Sequence, residues 1–266
     1  MNRKAIKTGK WHLKFQAVIY LSAFFFISCS EHIARQNFVL EGYGAVIRKD
    51  TTRKMIHLAF TGHDFAEGFP VIREVLERHG IKGSFFFTGD FYRNPVFKPL
   101  VWDLLAEGHY LGAHSDKHLL YCSWENRDSL LVDRKTFFND LDQNYAEMQK
   151  FGISRKVALW FMPPYEWYNR AIARWTGKKG LILVNFSPGT RSNADYTFPE
   201  MGERYVSSKR IMESILEYEK KYGMNGFILL IHPGTDPRRT DKFYHHLDSL
   251  LHVLENKGYG FGRIDE

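Results

Sequence analysis

The chain has 266 residues, 44% hydrophobic and 25% charged, a balance that excludes a disordered or fibrous polymer and allows one large or two small globular domains. Its formal net charge of +7 invites a nucleic-acid reading, but Arg3, Lys4, Lys7, Lys10 and Lys14 all fall within residues 1–28, which hold no acidic residue. The remaining 32 basic and 30 acidic residues form no basic patch interleaved with aromatics, so nucleic acid is excluded as a partner.

The chain opens with that basic stretch, followed by the apolar run "FQAVIYLSAFFFIS" from Phe15 to Ser28. The run is shorter than the roughly 20 residues of a comfortable membrane span, and it has the length of a signal-peptide core ending in a small residue. Cys29 comes next, and "FISC" resembles a bacterial lipoprotein cleavage box, with Phe26 where leucine is usual. This predicts a signal peptide over 1–28 and a lipidated Cys29, hence a membrane anchor and a place in the bacterial cell envelope, periplasmic or surface-facing. Acyl chains partition into a bilayer at about 0.8 kcal/mol per buried CH2. A plain secretory signal or an uncleaved anchor are the alternatives. Cys122 is the only other cysteine, so no intrachain disulfide is expected, and Cys122 reads as a small buried side chain.

Residues 29–50 read as a tether with some early structure, and 51–266 as one domain in which strands and helices alternate. The predicted strands are 55–61, 82–89, 109–113, 157–162, 181–186, 226–232 and 259–264, each a short apolar run. The predicted helices are 69–80, 97–108, 133–152, 167–180, 208–223 and 240–258, several closed by glycine. This alternation implies an α/β fold with a parallel sheet and helices outside it. About seven units favour a distorted (β/α) barrel over an open sheet.

In such architectures the active site gathers at the carboxyl ends of the strands. The polar segments there are "TGHD" (61–64), "TGD" (88–90), "HSDKH" (114–118), "PPYEW" (163–167), "NFSPGTRSNADY" (185–196) and "HPGTD" (232–236). Asp64, His114 and His118 form a candidate two-histidine, one-carboxylate metal set of the kind zinc uses in catalytic sites, with cobalt or nickel as alternatives. Paired histidines at this spacing are often coincidental; Asp64 on the same rim strengthens the reading.

These segments resemble the motifs of the polysaccharide deacetylases, metal-dependent enzymes with a distorted (β/α) barrel that remove acetyl groups from glycans. The resemblance covers roughly residues 55–264. Thr61–Asp64 is similar to the family's Thr-Phe-Asp-Asp, with Asp64 at the metal-binding aspartate and His63 at the catalytic base. His114-Ser115-Asp116-Lys117-His118 reproduces the family's His-Ser-x-x-His. "MPPY" resembles Arg-x-Pro-Tyr, with Met162 in place of arginine and Tyr165 retained; "LLIH" resembles the family's Leu-x-His, with His232. Asp195-Tyr196 only suggests the family's Asp-Trp pair.

The resemblance implies a divalent metal on Asp64, His114 and His118, an oxyanion held by the metal and a backbone N–H near Tyr165, and His232 as the acid. It also implies a carbohydrate substrate. His63 departs from the aspartate base, and Met162 cannot pair with a carboxylate, so the two departures are coherent. His63 could accept the proton or ligate the metal, or Glu166 could take over as base. Arg191 could supply the missing charge or be a solvated loop cation. Trp167, with Trp124 and Tyr168, could stack on sugar rings or simply pack; Arg191, Asp195 and Tyr196 complete the expected substrate-binding set. His57 reads as structural. The expected function is metal-dependent removal of acetyl groups from a glycan. The rivals are a non-catalytic glycan-binding lipoprotein with a degenerate site, and an amidase acting on a non-sugar amide.

Overall fold

The computed structural model describes residues 38–266; the predicted signal peptide, Cys29 and the first part of the 29–50 tether lie outside them. Nine strands form one sheet, in the order β1-β2-β8-β3-β4-β5-β6-β7, with β9 also paired to β3. The strands are β1 (Val39–Leu40), β2 (Val46–Arg48), β3 (Met55–Gly62), β4 (Ser84–Phe87), β5 (Tyr110–Ala113), β6 (Trp160–Phe161), β7 (Ile182–Leu183), β8 (Phe227–Ile231) and β9 (Gly260–Gly262). From β8 through β7 every neighbouring pair is parallel. On one side of β3 lies β8; on the other, β9 covers Met55–His57 and β4 covers Ala59–Gly62.

The described residues hold seven α-helices, α1 (Phe69–Arg78), α2 (Gly89–Arg93), α3 (Lys98–Ala106), α4 (Arg134–Gln149), α5 (Arg170–Lys178), α6 (Ser208–Tyr222) and α7 (Leu247–Asn256). Their ends follow local chemistry. The side chains of Thr88, Asp133, Asn169 and Ser207 cap the N-termini of α2, α4, α5 and α6 by accepting backbone N–H bonds. Gly223, at φ +68°, ends α6 in a conformation that glycine adopts without a Cβ penalty. In α1, Phe69, Ile72, Val75 and Leu76 form the buried stripe expected from a 3.6-residue repeat.

Side chains alternate along each strand, and the two faces build two separate clusters. Leu58 and Phe60 of β3, Phe85 and Phe87 of β4, and Leu229 and Ile231 of β8 pack outward under the helices. The intervening Ala59, Phe86, Ile228 and Leu230 point inward and pack with Val46, Tyr110, Trp160, Met162 and Val184. The parallel strands are buried on both faces, which is why they read as unbroken apolar runs. Gly112 makes room for this interior: a Cβ there would lie 2.7 Å from the Phe86 ring and 3.0 Å from the Trp160 carbonyl.

The described part of the predicted tether joins the sheet. β2 runs antiparallel to β8 through Arg48–Phe227, and Val46 bridges Val184 just beyond β7. Two residues of one short strand therefore span the gap between the ends of the curled sheet, which closes as a distorted (β/α) barrel.

Candidate active site

The six polar segments that follow β3, β4, β5, β6, β7 and β8 lie at one end of the barrel. The loop after β5 carries the two histidines and is tightly held. The His114 N–H bonds to the Asn144 Oδ1 at 2.9 Å, and the Asn144 side-chain amide donates to the Phe87 carbonyl. Asp140, one turn earlier on α4, accepts the N–H groups of Asp116 (3.2 Å) and Lys117 (3.0 Å) and the Tyr121 hydroxyl (2.7 Å). Arg93 clamps Asp116 from α2 at 2.7 Å. These bonds hold a turn in which Ser115 (φ 71°) and His118 (φ 53°) are left-handed although neither is glycine. Left-handed non-glycine residues cost of order 1–3 kcal/mol each and persist only where their surroundings over-determine them.

Both histidines are held as neutral imidazoles. His114 is buried, and its Nδ1–H donates to the Met162 carbonyl at 2.8 Å, which leaves the Nε2 lone pair free. Burial pushes the His114 pKa down to about 3, opposed by that hydrogen bond and reinforced by His232 and His63. Burial likewise pushes His118 to about 2, with His114, His63 and His232 adding to the effect. The rings of His114 and His118 lie 5.1 Å apart, and His118 stacks on His63 at 4.7 Å and packs against Tyr165 at 4.3 Å.

Asp64 stands apart from this group. Its side chain is 67% exposed, and its Oδ1 lies 3.4 Å from the His63 Nε2. His63 Nδ1 is 3.0 Å from the Thr88 hydroxyl oxygen. A carboxylate facing Nε2 favours the proton on that nitrogen, so the Thr88 O–H donates to Nδ1. His63 thus bonds to Thr88 through Nδ1 and lies beside the Asp64 carboxylate with Nε2. Among the described residues, no three His, Cys, Asp or Glu side chains converge as a metal-holding group. The donor chemistry of His114 and His118 nonetheless fits a borderline divalent cation, since both are neutral and His114 already offers Nε2.

A second polar pair faces the histidines. Asp195 is buried; it accepts the His232 backbone N–H at 2.7 Å and pairs with His232 Nδ1 at 2.5 Å. Burial disfavours the His232 charge, but Asp195, by charge and hydrogen bond, outweighs it and raises the pKa, with Glu166 helping. Tyr196 stands edge-on to His232 at 5.7 Å. Arg239, fully buried, holds the Asp195 loop by donating to the Thr197 and Val206 carbonyls.

Tyr165 and Glu166 are also left-handed, at φ 59° and 52°. The Glu166 carbonyl accepts from the Asn185 side-chain amide at 2.8 Å. Desolvation raises the Glu166 carboxyl to about 7, with Asp195 adding to the rise and His232 and Thr61 opposing it. The Thr61 hydroxyl is buried without a hydrogen-bond partner among the described residues. Tyr165 is 45% exposed and Trp167 half-buried, so both face the rim.

Not every predicted residue joins this site. Arg191 is exposed and lines a separate polar cleft of about 440 Å³ with Glu203, Tyr205 and Arg210. Met162 is buried inside the barrel and contributes its backbone carbonyl to His114. Asn144, Asp140, Arg93 and Arg239 were not anticipated. Asn144 and Asp140 had a signal: both are polar yet fall in the apolar stripe Phe137, Leu141, Tyr145, Met148 of α4. Beside Asp64 an open groove of about 770 Å³ is lined mainly by Phe65, Ala66, Val96, Phe97 and Leu100.

Comparison with known proteins places this geometry. The peptidoglycan-N-acetylmuramic acid deacetylase PdaA of Bacillus subtilis is 25% identical over 86% of this chain and 77% of its own length. YlxY, a protein of the same organism described as uncharacterized, is 26% identical over 72% of this chain; the match spans only half of YlxY. The solved structure of PdaA, a family 4 carbohydrate esterase, superposes with a TM-score of 0.64 at 24% identity, covering 84% of each chain. A family 4 pseudoenzyme from Bacillus anthracis superposes with a TM-score of 0.60 at 16% identity, over 84% of this chain and 68% of that one. These likenesses establish the shared distorted barrel. The polysaccharide deacetylase family model matches residues 48–184, from the closing strand through β7 and including His63, Asp64, His114, His118, Tyr165 and Glu166. The chain belongs to the polysaccharide deacetylase family.

Proposed function

We propose that the protein is a metal-dependent hydrolase that removes acetyl groups from an envelope glycan, with N-acetylated peptidoglycan strands as the first substrate to test. One observation carries the reading: the neutral His114–His118 pair faces a His232–Asp195 pair whose environment favours the charged imidazole. Two titratable groups pushed in opposite directions across one site are the arrangement that acid–base hydrolysis needs. The relatives' activities on peptidoglycan point to the same substrate class.

His114 and His118, joined by Asp64, would hold a divalent cation, with zinc the first to test and cobalt or nickel as alternatives. The cation supplies carbonyl polarisation and a more acidic water. The acetyl carbonyl would lie beside Tyr165, whose backbone N–H is the oxyanion donor in this reading; such donors are worth roughly 3–4 kcal/mol. Glu166 takes the proton of the attacking water. Its carboxyl has a basicity matched to neutral pH, whereas His63 is held at Nδ1 by Thr88 and lies beside Asp64 with Nε2. His63 then serves to orient Asp64. His232, held by Asp195, protonates the departing amine or alkoxide.

A second reading is a glycan-binding protein of the same fold without hydrolytic activity. His63 in place of an aspartate, Met162 in place of an arginine, and a structurally similar pseudoenzyme favour it. Acetate release by the zinc-loaded protein from N-acetylated glycan strands decides between the two: release abolished by Glu166→Gln supports hydrolysis, whereas binding without release supports the second reading. The lipid anchor at Cys29 and the envelope location rest on the "FISC" sequence and belong to this proposal. Globomycin-sensitive processing of the precursor in vivo would support them, and an unprocessed or unlipidated terminus would refute them.

A further inference from the structure

We propose that Trp124 is a stacking platform for a neighbouring sugar ring, so that the site takes an extended glycan and not an isolated acetylated monosaccharide; this rests on the glycan reading above. Trp124 lies 56% exposed on the loop between β5 and α4. Its indole stacks on Trp167 at 5.2 Å and 30°, and it stands edge-on to Tyr165 at 5.7 Å. Tyr165 in turn packs on His118. An unbroken aromatic surface therefore runs outward from the histidine pair to an indole that is largely in solvent.

The platform is rigid. Cys122 pairs with Leu130 across the loop, Ser123 N–H bonds to the Ser129 carbonyl, and Trp167 Nε1–H bonds to the Ser123 carbonyl at 3.1 Å. The Arg127 guanidinium lies 4.3 Å from the centre of the Trp167 ring and ties the loop down through the Tyr168 carbonyl and Glu41. Anchors on both flanks of the loop that carries the exposed indole lower the ordering cost of binding. The flat apolar face of a pyranose ring is the occupant this surface fits: an aromatic face supplies apolar contact, and hydroxyl groups at the ring edge stay hydrated. Trp102, also 52% exposed, offers no such surface, since it lies on α3 and packs on Phe151.

Isothermal titration of the full chain with a soluble N-acetylglucosamine oligomer and with the monosaccharide tests this. Trp124→Ala is expected to weaken oligomer binding roughly tenfold and to leave the monosaccharide unchanged. Trp124→Phe should recover most of the loss, and Trp102→Ala should change nothing. Equal oligomer affinity in Trp124→Ala and wild type overturns the platform, even if deacetylation is found. A change of oligomeric state in Trp124→Ala with unchanged oligomer affinity also overturns it, and assigns the face to self-association. No binding of any acetylated glycan by wild type overturns both this inference and the reading beneath it.

Discussion

Asp140 offers the sharpest test of how the histidine loop is held. Asp140→Ala strands three donors: the Asp116 and Lys117 N–H groups and the Tyr121 hydroxyl. Asp116 and Tyr121 are buried, so two of the three lose their partner away from water. An unsatisfied buried donor costs about 1–3 kcal/mol. Removing a buried carboxyl whose pKa is raised by desolvation returns part of that. The net loss should be about 2–4 kcal/mol in urea unfolding, with an unchanged m-value. The same variant should bind zinc more weakly, because Asp140 helps hold the turn in which Ser115 and His118 are left-handed. Asp140→Asn keeps one acceptor oxygen, enough for the Lys117 N–H or for the Asp116 N–H and the Tyr121 hydroxyl but not for all three, and should lose about half as much. A loss below about 1 kcal/mol with unchanged zinc affinity would refute the claim that Asp140 sets the loop.

Three further outcomes are expected. His57 and His109 are buried, and desolvation first among the causes lowers both to about 4. A depressed histidine contributes stability that is present above its unfolded pKa near 6.5 and is lost as pH falls through the folded value. Unfolding free energy should therefore drop between pH 6.5 and 4, by roughly 3 kcal/mol for His57 alone, and His57→Gln should flatten the profile. Gly234 lies two residues after His232, and a Cβ there would come within 2.2–2.3 Å of the Phe65–Ala66 backbone. Gly234→Ala should displace the loop that carries Asp64 and weaken zinc binding at least tenfold in a competition titration; unchanged affinity would remove Asp64 from the metal set. His114→Ala should lose stoichiometric zinc outright by elemental analysis of the dialysed protein.

Much of this was legible in the sequence. Strand–helix alternation predicted the barrel and its rim, since buried parallel strands must read as apolar runs and the chain shows them at β3, β4 and β8. His114, His118, His232 and Asp195 fall on that rim as expected. Three features were hidden for physical reasons. β1 and β2 are two and three residues long, too short for a periodicity, and β2 gains its meaning only by reaching both Arg48–Phe227 and Val46–Val184. The His63 hydrogen bonding depends on Thr88, which is distant in sequence and local only in space. Arg191 follows a strand, as site residues do, yet its loop carries it into a different cleft while Asp195, four residues on, reaches His232. Placement after a strand fixes the rim, and the loop's own turns then decide which side chains face inward.

The central claim is that this rim hydrolyses an acetyl group with His114 and His118 as metal ligands. The most direct measurement is acetate release from N-acetylated peptidoglycan strands by the zinc-loaded full chain, beside His114→Ala prepared identically. Zinc-dependent release by wild type and none by His114→Ala is the predicted result. A wild-type protein that carries zinc and binds the strands but releases no acetate from any N- or O-acetylated glycan would contradict it.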